Sequence, residues 1–351
     1  MMKSLSPLST PVRVGILGLG RAGWNLHFEP MRKLAGYQIV AVADPLPERA
    51  QEAASLTACQ TFSSLDELLA KSNAQLVVVA TPTATHYQDC LRVLRAKRHC
   101  IVEKPMALTT EEAAELVSLA RSHGLGLFVH HNHLHLPTYH HLKSIIDQGM
   151  LGTLFSIRVF WGNYARRWDW QTLRKNGGGQ LNNTCPHVLS VVLPLLGSPV
   201  RRVFADLRNI KDAGDAEDHV HMVLQTESGV TADIVVSSAI ALSGPKWMLC
   251  GSRGTLISDG EKSKLRFYDG TKVEPLNVID AAAPGRKYLS ETLPWEEKEL
   301  LASPAPVKPF HENVLDVLTT RVQPIVTPES AAEVVRVMQE VRRAALSKTQ
   351  K

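Results

Sequence analysis

Residues 12–17, VRVGIL, form an apolar run of strand character that feeds directly into Gly18-Leu19-Gly20-Arg21-Ala22-Gly23. This strand followed by G-x-G-x-x-G constrains the fold more than any other stretch of the chain. Gly18 permits the tight turn, Gly20 lets backbone approach phosphate oxygens, and Gly23 lets a helix pack on the strand. The turn, with Arg21 and Ala22 inside it, opens a helical pattern whose N-terminus offers unpaired N–H groups and partial positive charge to an anion. A second apolar run, residues 38–43, ends in Asp44. A carboxylate there, about 20 residues past the glycines, meets the ribose hydroxyls of a dinucleotide.

The rest of the first half alternates strand and helix. Residues 47–56 read as a helix, and Ser64 with Glu67 forms a capping box for another. Residues 76–80 are a short, wholly apolar strand, as expected where both faces of a parallel sheet are covered. Residues 86–97 are helical, and 99–102 form a strand that ends in Glu103-Lys104-Pro105. Thr109 and Glu112 cap a helix that stops at Gly124, and 125–131 form a further strand. The alternation predicts a doubly wound α/β fold, with Asp44, Thr81-Pro82 and Glu103-Lys104-Pro105 on one rim at the strand ends. Proline restrains the residue before it, so Lys104 is aimed rather than free, and an aimed ammonium can polarise a hydroxyl or carbonyl.

A chain of 351 residues exceeds a single core, so two domains are expected, at 1–132 and 133–351, with the C-terminal helix able to pack back on the first. A formal net charge of +5, spread along the chain, points to neither nucleic acid nor membrane. No apolar run reaches the ~18 residues of a membrane span. The first residues lack the apolar core of a signal peptide and read as a loose lead-in. Five cysteines without C-x-x-C suit reduced thiols in a cytoplasmic protein.

In the second half, residues 138–148 read as a helix. Strands follow at 154–160, 200–207, 219–225, 230–238, 246–250, 255–258 and 264–268. Glu227-Ser228-Gly229 and Ser252-Arg253-Gly254 are hairpin turns, so this sheet is antiparallel or mixed. Residues 281–309 read as an extended loop, and 310–320 and 328–346 as closing helices. After Gly177-Gly178-Gly179-Gln180-Leu181, Thr184 reads as an N-cap and Pro186 as a first-turn proline of a helix to Gly197. If that helix extends back to Asn183, then Asn183 and His187 share a face at i, i+4. Cys185 reads as a small packing residue. His131, His133 and His135 would share one face of a strand, a spacing that admits metal, although substrate-lining or structural roles are favoured and no metal site is assigned. Trp168, Asp169 and Trp170 either stack on a sugar ring or form a buried tryptophan pair between domains.

These spaced motifs resemble the Gfo/Idh/MocA family, through Gly18 to Gly23, Ala80-Thr81-Pro82 with His86, Glu103-Lys104-Pro105, and Gly177 through His187. The resemblance implies a Rossmann domain followed by a domain with a large open sheet, through which relatives form homodimers or homotetramers. It implies hydride transfer between NAD or NADP and a secondary alcohol or ketone of a sugar, polyol or related small molecule. It implies cofactor contacts at Gly18, Gly20, Arg21, Ala22, Gly23, Asp44, Thr81, Pro82, His86, Glu103 and Lys104. Lys104 and His187 match the family's lysine and histidine, and His133 falls near the nicotinamide. Substrate contacts are thus expected at Lys104, His133, Trp168, Asp169, Asn183 and His187. Relatives usually carry Asp where Asn183 stands and Gly where Cys185 stands. Asn can bond a hydroxyl but cannot take its proton, so Asn183 orients substrate while Lys104 and His187 move the proton. Asp44, with no basic residue at Pro45 or Leu46 and Arg49 too far along to serve, favours NAD over NADP. A redox-assisted glycosidase or lyase with recycled NAD, and a dinucleotide-sensing regulator, are the alternative readings.

Overall fold

A computed structural model describes residues 7–282, 285, 287–302 and 307–349. Most of the lead-in and parts of the 281–309 stretch lie outside the described residues.

The first sheet is built from β1 (Val12–Leu17), β2 (Tyr37–Ala43), β3 (Gln60–Phe62), β4 (Leu76–Val79), β5 (His99–Val102) and β6 (Leu127–Val129). Their order, β3-β2-β1-β4-β5-β6, is all parallel and reverses direction between β1 and β4. That is the doubly wound order whose crevice at the reversal takes a nucleotide. The central strands are apolar throughout because helices cover both faces, and β4 and β5 are buried at every position. The connecting helices are α1 (Glu29–Arg32), α2 (Pro47–Thr57), α3 (Leu65–Lys71), α4 (His86–Arg95) and α5 (Thr110–His123). Thr109 and Glu112 close a full capping box on α5. Only half of one forms on α3, where the Glu67 carboxylate turns to Ser63 instead of Ser64. The strand β3 carries no apolar run and was not foreseen; it pairs as an edge.

Residues 125–131 form a much shorter strand than expected, because the chain leaves the sheet at Val129 and turns into a 3₁₀ helix, Asn132–His135. The shared strand face for His131, His133 and His135 therefore does not exist.

The second sheet holds β7 (Leu154–Gly162), β8 (Val200–Arg208), β9 (His219–Thr226), β10 (Thr231–Ser237), β11 (Trp247–Gly251), β12 (Gly254–Ser258), β13 (Lys262–Phe267) and β14 (Glu296–Leu301). Its order is β14-β13-β12-β11-β7-β10-β9-β8, and β7 with β10 is the parallel pair among antiparallel ones. β14 corrects the extended-loop reading of residues 281–309. Its four consecutive charged residues suit a solvated edge, which breaks the apolar pattern by which a strand is recognised. In β9, Val220, Met222 and Leu224 point inward while His219, His221, Val223 and Gln225 stay half-exposed, so one face is packed and one is open.

The packed face is covered by α6 (Pro137–Asp147), the short α7 (Gln180–Asn183) and α8 (Cys185–Leu196). Two further helices close the chain, α9 (Phe310–Thr320) and α10 (Pro328–Thr349). α9 packs Phe310, Val314, Val317 and Leu318 against Val12 and Phe28 beneath the first sheet. α10 supplies Ala331 and Val335 to one core and Val334, Val337, Met338 and Val341 to the other. Each fully buried Val or Leu in these clusters contributes roughly 1.5–3 kcal/mol. The last helix is thus a shared wall that fixes the two sheets to each other.

Candidate active site

The carboxyl ends of the first sheet open into a cleft of about 1530 Å³, continued by residues from the second sheet. Sites for a single drug-sized ligand measure roughly 300–1,000 Å³, so this one has room for a dinucleotide and a second molecule.

At its floor, Gly18 has φ +85°, and a Cβ there would lie 2.7 Å from Ala80 O. A Cβ at Gly23 would lie 1.8 Å from Gly18 O, so the turn exists only with glycine at both positions. At Gly20 a Cβ would meet nothing within 4 Å, which leaves its backbone open to the cleft. This bare cradle fits a pyrophosphate. The chain continues as a π-helical turn, Gly23–Phe28, ahead of Pro30, which has no N–H to carry a regular helix. The wide turn places His27 wholly inside.

Asp44 lies at the end of β2, but its carboxylate is engaged. Its Oδ2 accepts the Leu19 N–H at 2.7 Å, and its Oδ1 accepts the Leu46 N–H at 2.9 Å. Arg49, one turn into α2, brings a guanidinium nitrogen to 3.7 Å from Oδ2. Arg49, which the sequence places too far along to clamp a phosphate, is brought back by helical geometry to the strand end beside Asp44. Arg21, Ala22, Thr81 and Pro82 line the cleft. His86 also reaches it, but its ring is buried between Pro105 O at 2.7 Å and Thr81 O at 2.8 Å, bracing the two strand ends.

Glu103 lines the cleft, and its carboxylate is buried in a polar cluster. Its Oε1 accepts from His27 Nε2 at 3.0 Å and His130 Nδ1 at 2.8 Å, and the Lys104 N–H lies 3.3 Å from Oε2. His27 Nδ1 in turn stands 3.1 Å from His311 Nε2. One ligand atom each from His27, Glu103 and His130 lie within 4.8 Å of one another, a separation a metal ion can bridge. Hydrogen bonds from the two rings to one carboxylate oxygen satisfy the same atoms. Burial acts to raise the Glu103 carboxyl, but His130 and His27 hold it well below the usual range. This anion sits directly behind Lys104.

The Lys104 ammonium donates to the main-chain oxygen of Asn183 at 2.7 Å, across the boundary between the two sheets. That oxygen is free because the helix breaks there. The His187 N–H bonds Thr184 O instead, at 3.1 Å, and Pro186 has no N–H to offer Asn182 O. The foreseen N-cap is corrected too: the Thr184 hydroxyl turns back to Gln180 Oε1, and Thr184 itself has helical angles. Asn183 and His187 are four residues apart on opposite sides of this break, and both line the cleft. Burial lowers the Lys104 ammonium from its ordinary value, Glu103 opposes the shift, and Arg21 adds to it.

The His187 ring lies 4.5 Å from that of His133, which lies 5.3 Å from that of Trp161. Nδ1 of His187 is buried and has no hydrogen-bond partner. Burial, then Lys104 and His133, push His187 well below its usual range, so the ring is neutral. Burial followed by Lys246 and Lys104 brings His133 down to about 4. Asp169 and Trp170 line the mouth, with Asp169 held by Arg167 at 2.6 Å. Trp168 does not line it; that side chain is 82 % exposed, so neither a stacking wall nor a buried tryptophan pair forms. Trp161, Asn163, Arg167 and Gln171 belong to the lining and were missed. The available signal was the pair Trp161 and Asn163, alternate residues where β7 ends.

The decisive comparison is with known families. Residues 12–131 match the family model described as an oxidoreductase family with an NAD-binding Rossmann fold, and 139–257 match the GFO/IDH/MocA C-terminal domain. The chain belongs to the GFO/IDH/MocA oxidoreductases. It is an NAD(P)-dependent enzyme of that family. It is 26 % identical over 260 residues to scyllo-inositol 2-dehydrogenase (NADP(+)) IolW of Bacillus subtilis, covering 73 % of this chain and 72 % of that protein. It is 27 % identical over 271 residues to 2,7-anhydro-N-acetylneuraminate hydratase of Escherichia coli, covering 74 % and 72 %. Among solved structures, it is similar to an NAD-binding protein from Listeria innocua, with a TM-score of 0.80, 25 % identity and 96 % of each chain covered. Among the described residues, no helix is long and apolar enough to cross a membrane.

Proposed function

We propose that this oxidoreductase interconverts a secondary alcohol and the corresponding ketone of a sugar, polyol or related small molecule, with NAD as its working cofactor. The observation that carries this reading is the bond from Lys104 Nζ to Asn183 O, which brings the lysine of one half against the turn that bears His187.

When bound, the nicotinamide supplies a hydride acceptor, and the events at substrate oxygen fall to this chain. Lys104, buried beside the Glu103 carboxylate that opposes loss of its charge, stabilises negative charge that develops on the alcohol oxygen. Neutral His187 takes the hydroxyl proton, and in the reverse direction returns it. The side chain of Asn183 donates and accepts with substrate hydroxyls but carries no proton of its own to the reaction. His133 and Trp161 form the adjoining wall, and Asp169 and Trp170 the mouth. The glycine turn with Arg21 and Ala22 holds the pyrophosphate, Asp44 approaches the ribose, and Thr81 and Pro82 support the nicotinamide end. The half-exposed face of the second sheet, with Phe155 and Phe204 open to solvent, serves as a homodimer or homotetramer surface.

A panel of sugars and polyols, followed by NADH absorbance and run with NAD and NADP, tests the reading. Lys104→Gln is expected to lower kcat by roughly 100-fold or more while NADH affinity is kept. An unchanged kcat refutes it. The relative named as a hydratase supports a second reading, in which NAD is recycled within the cleft. Product formed without net NADH selects that one.

A further inference from the structure

The reaction depends on two groups that come from different sheets, so something must hold their separation fixed. Lys104 is followed by Pro105, buried Met106 and buried Ala107, and then by Leu108. His187 is preceded by the α7 turn, which includes Asn182 and Asn183. One side chain bonds both segments. Arg342, on α10, donates from one terminal nitrogen to Leu108 O at 3.1 Å and from the other to the side-chain oxygen of Asn182.

The surroundings make this a built junction. Asn182 is buried, and its amide donates to Gly177 O at 3.1 Å, so its oxygen is presented to the guanidinium. Glu217 anchors the same turn: its main-chain oxygen accepts the Gln180 N–H at 2.9 Å, and its Oε1 accepts the Leu181 N–H at 3.1 Å. The Glu217 carboxylate also acts electrostatically on Arg342, against the burial that disfavours its charge. One turn earlier on α10, Gln339 accepts from the Thr110 N–H at 2.6 Å, so the helix grips the stretch after Leu108 as well. A planar guanidinium bonds two acceptors in a fixed geometry, which a single ammonium does not reproduce.

We propose that Arg342 is a positioning residue whose guanidinium ties the segment behind Lys104 to the turn bearing Asn183, and so sets the approach of Lys104 to Asn183 O and His187. The inference rests on the reading of Lys104 and His187 given above. Its route to the chemistry is mechanical, since Arg342 is absent from the cleft lining.

The test has two arms on the full-length chain, using Arg342→Met and Arg342→Lys. The first needs no substrate. Hydrogen exchange is expected to rise around residues 104–110 and 177–184 in both variants, while the strands of both sheets keep their protection. Unchanged exchange in those segments overturns the proposal, and so does a loss of protection throughout the chain in Arg342→Lys. The second arm uses whichever substrate the panel identifies. Both variants are expected to lose about 10- to 100-fold in kcat, with NADH affinity held within about twofold. In a Lys104→Gln background the same changes are expected to cost less than about twofold, because the group being positioned is gone. Full multiplicative losses in that background, or full kcat in Arg342→Lys, overturn it. A panel without turnover would count against the functional reading while leaving the exchange arm to decide the tie itself.

Discussion

Acidification from about pH 7.5 to about pH 5.5 should remove a share of the folding free energy that follows from four buried imidazoles. Burial lowers His99 from 6.5 to about 4, His131 to about 3, His133 to about 4 and His311 to about 2, with neighbouring charges adding to the last three. Above 6.5 these rings are neutral in folded and unfolded chains alike, and they add no pH dependence. Below 6.5 the unfolded chain takes up protons that the fold refuses, so stability falls as pH falls until each folded value is reached. At about pH 5.5 every such ring costs about 1–1.5 kcal/mol, and the four together about 5 kcal/mol. That is comparable to the whole stability of many domains. Glu103 stays ionised through this window, because its shift runs the other way; its contribution is lost only as pH falls below the usual carboxyl range. Urea unfolding at both pH values, followed by tryptophan fluorescence, measures the loss. His99 accepts the Gly126 N–H at 2.8 Å, so His99→Gln keeps an acceptor there while removing the titrating ring. Its stability should fall by about 1 kcal/mol less over the same interval. A stability that holds steady between the two pH values, or an identical slope in His99→Gln, refutes the reasoning.

Other outcomes follow from single contacts. Gly23→Ala forces a methyl against Gly18 O and should abolish measurable NADH binding by calorimetry, while the second sheet stays folded by circular dichroism. Trp168→Ala should leave KM and stability unchanged within about 0.5 kcal/mol, whereas Trp170→Ala, at the cleft mouth, should raise KM for the substrate. Leu189→Ala empties a fully buried position in the second core and should cost about 2–5 kcal/mol in urea unfolding.

Much of this architecture is legible in the residues. The strand before Gly18, the apolar runs of β4 and β5, and the capping box at Thr109 are local signals that packing reinforces. β14 is hidden because an edge strand facing water has no apolar face to betray it. The histidine-dense stretch misleads because alternation describes a strand only while the chain stays in a sheet, and here it departs at Val129. At the site, Lys104 and His187 are visible as motif residues. The bond from Lys104 to the Asn183 main-chain oxygen is not, since it depends on a helix break that only Pro186 hints at. Arg49 shows the same lesson in reverse, as sequence distance from Asp44 conceals one turn of helix.

The grip on Lys104 is made by a peptide oxygen, which every amino acid possesses. Whatever residue evolution installs at position 183, the lysine keeps its anchor. The side chain at that position can therefore change without first dismantling the machinery beside it.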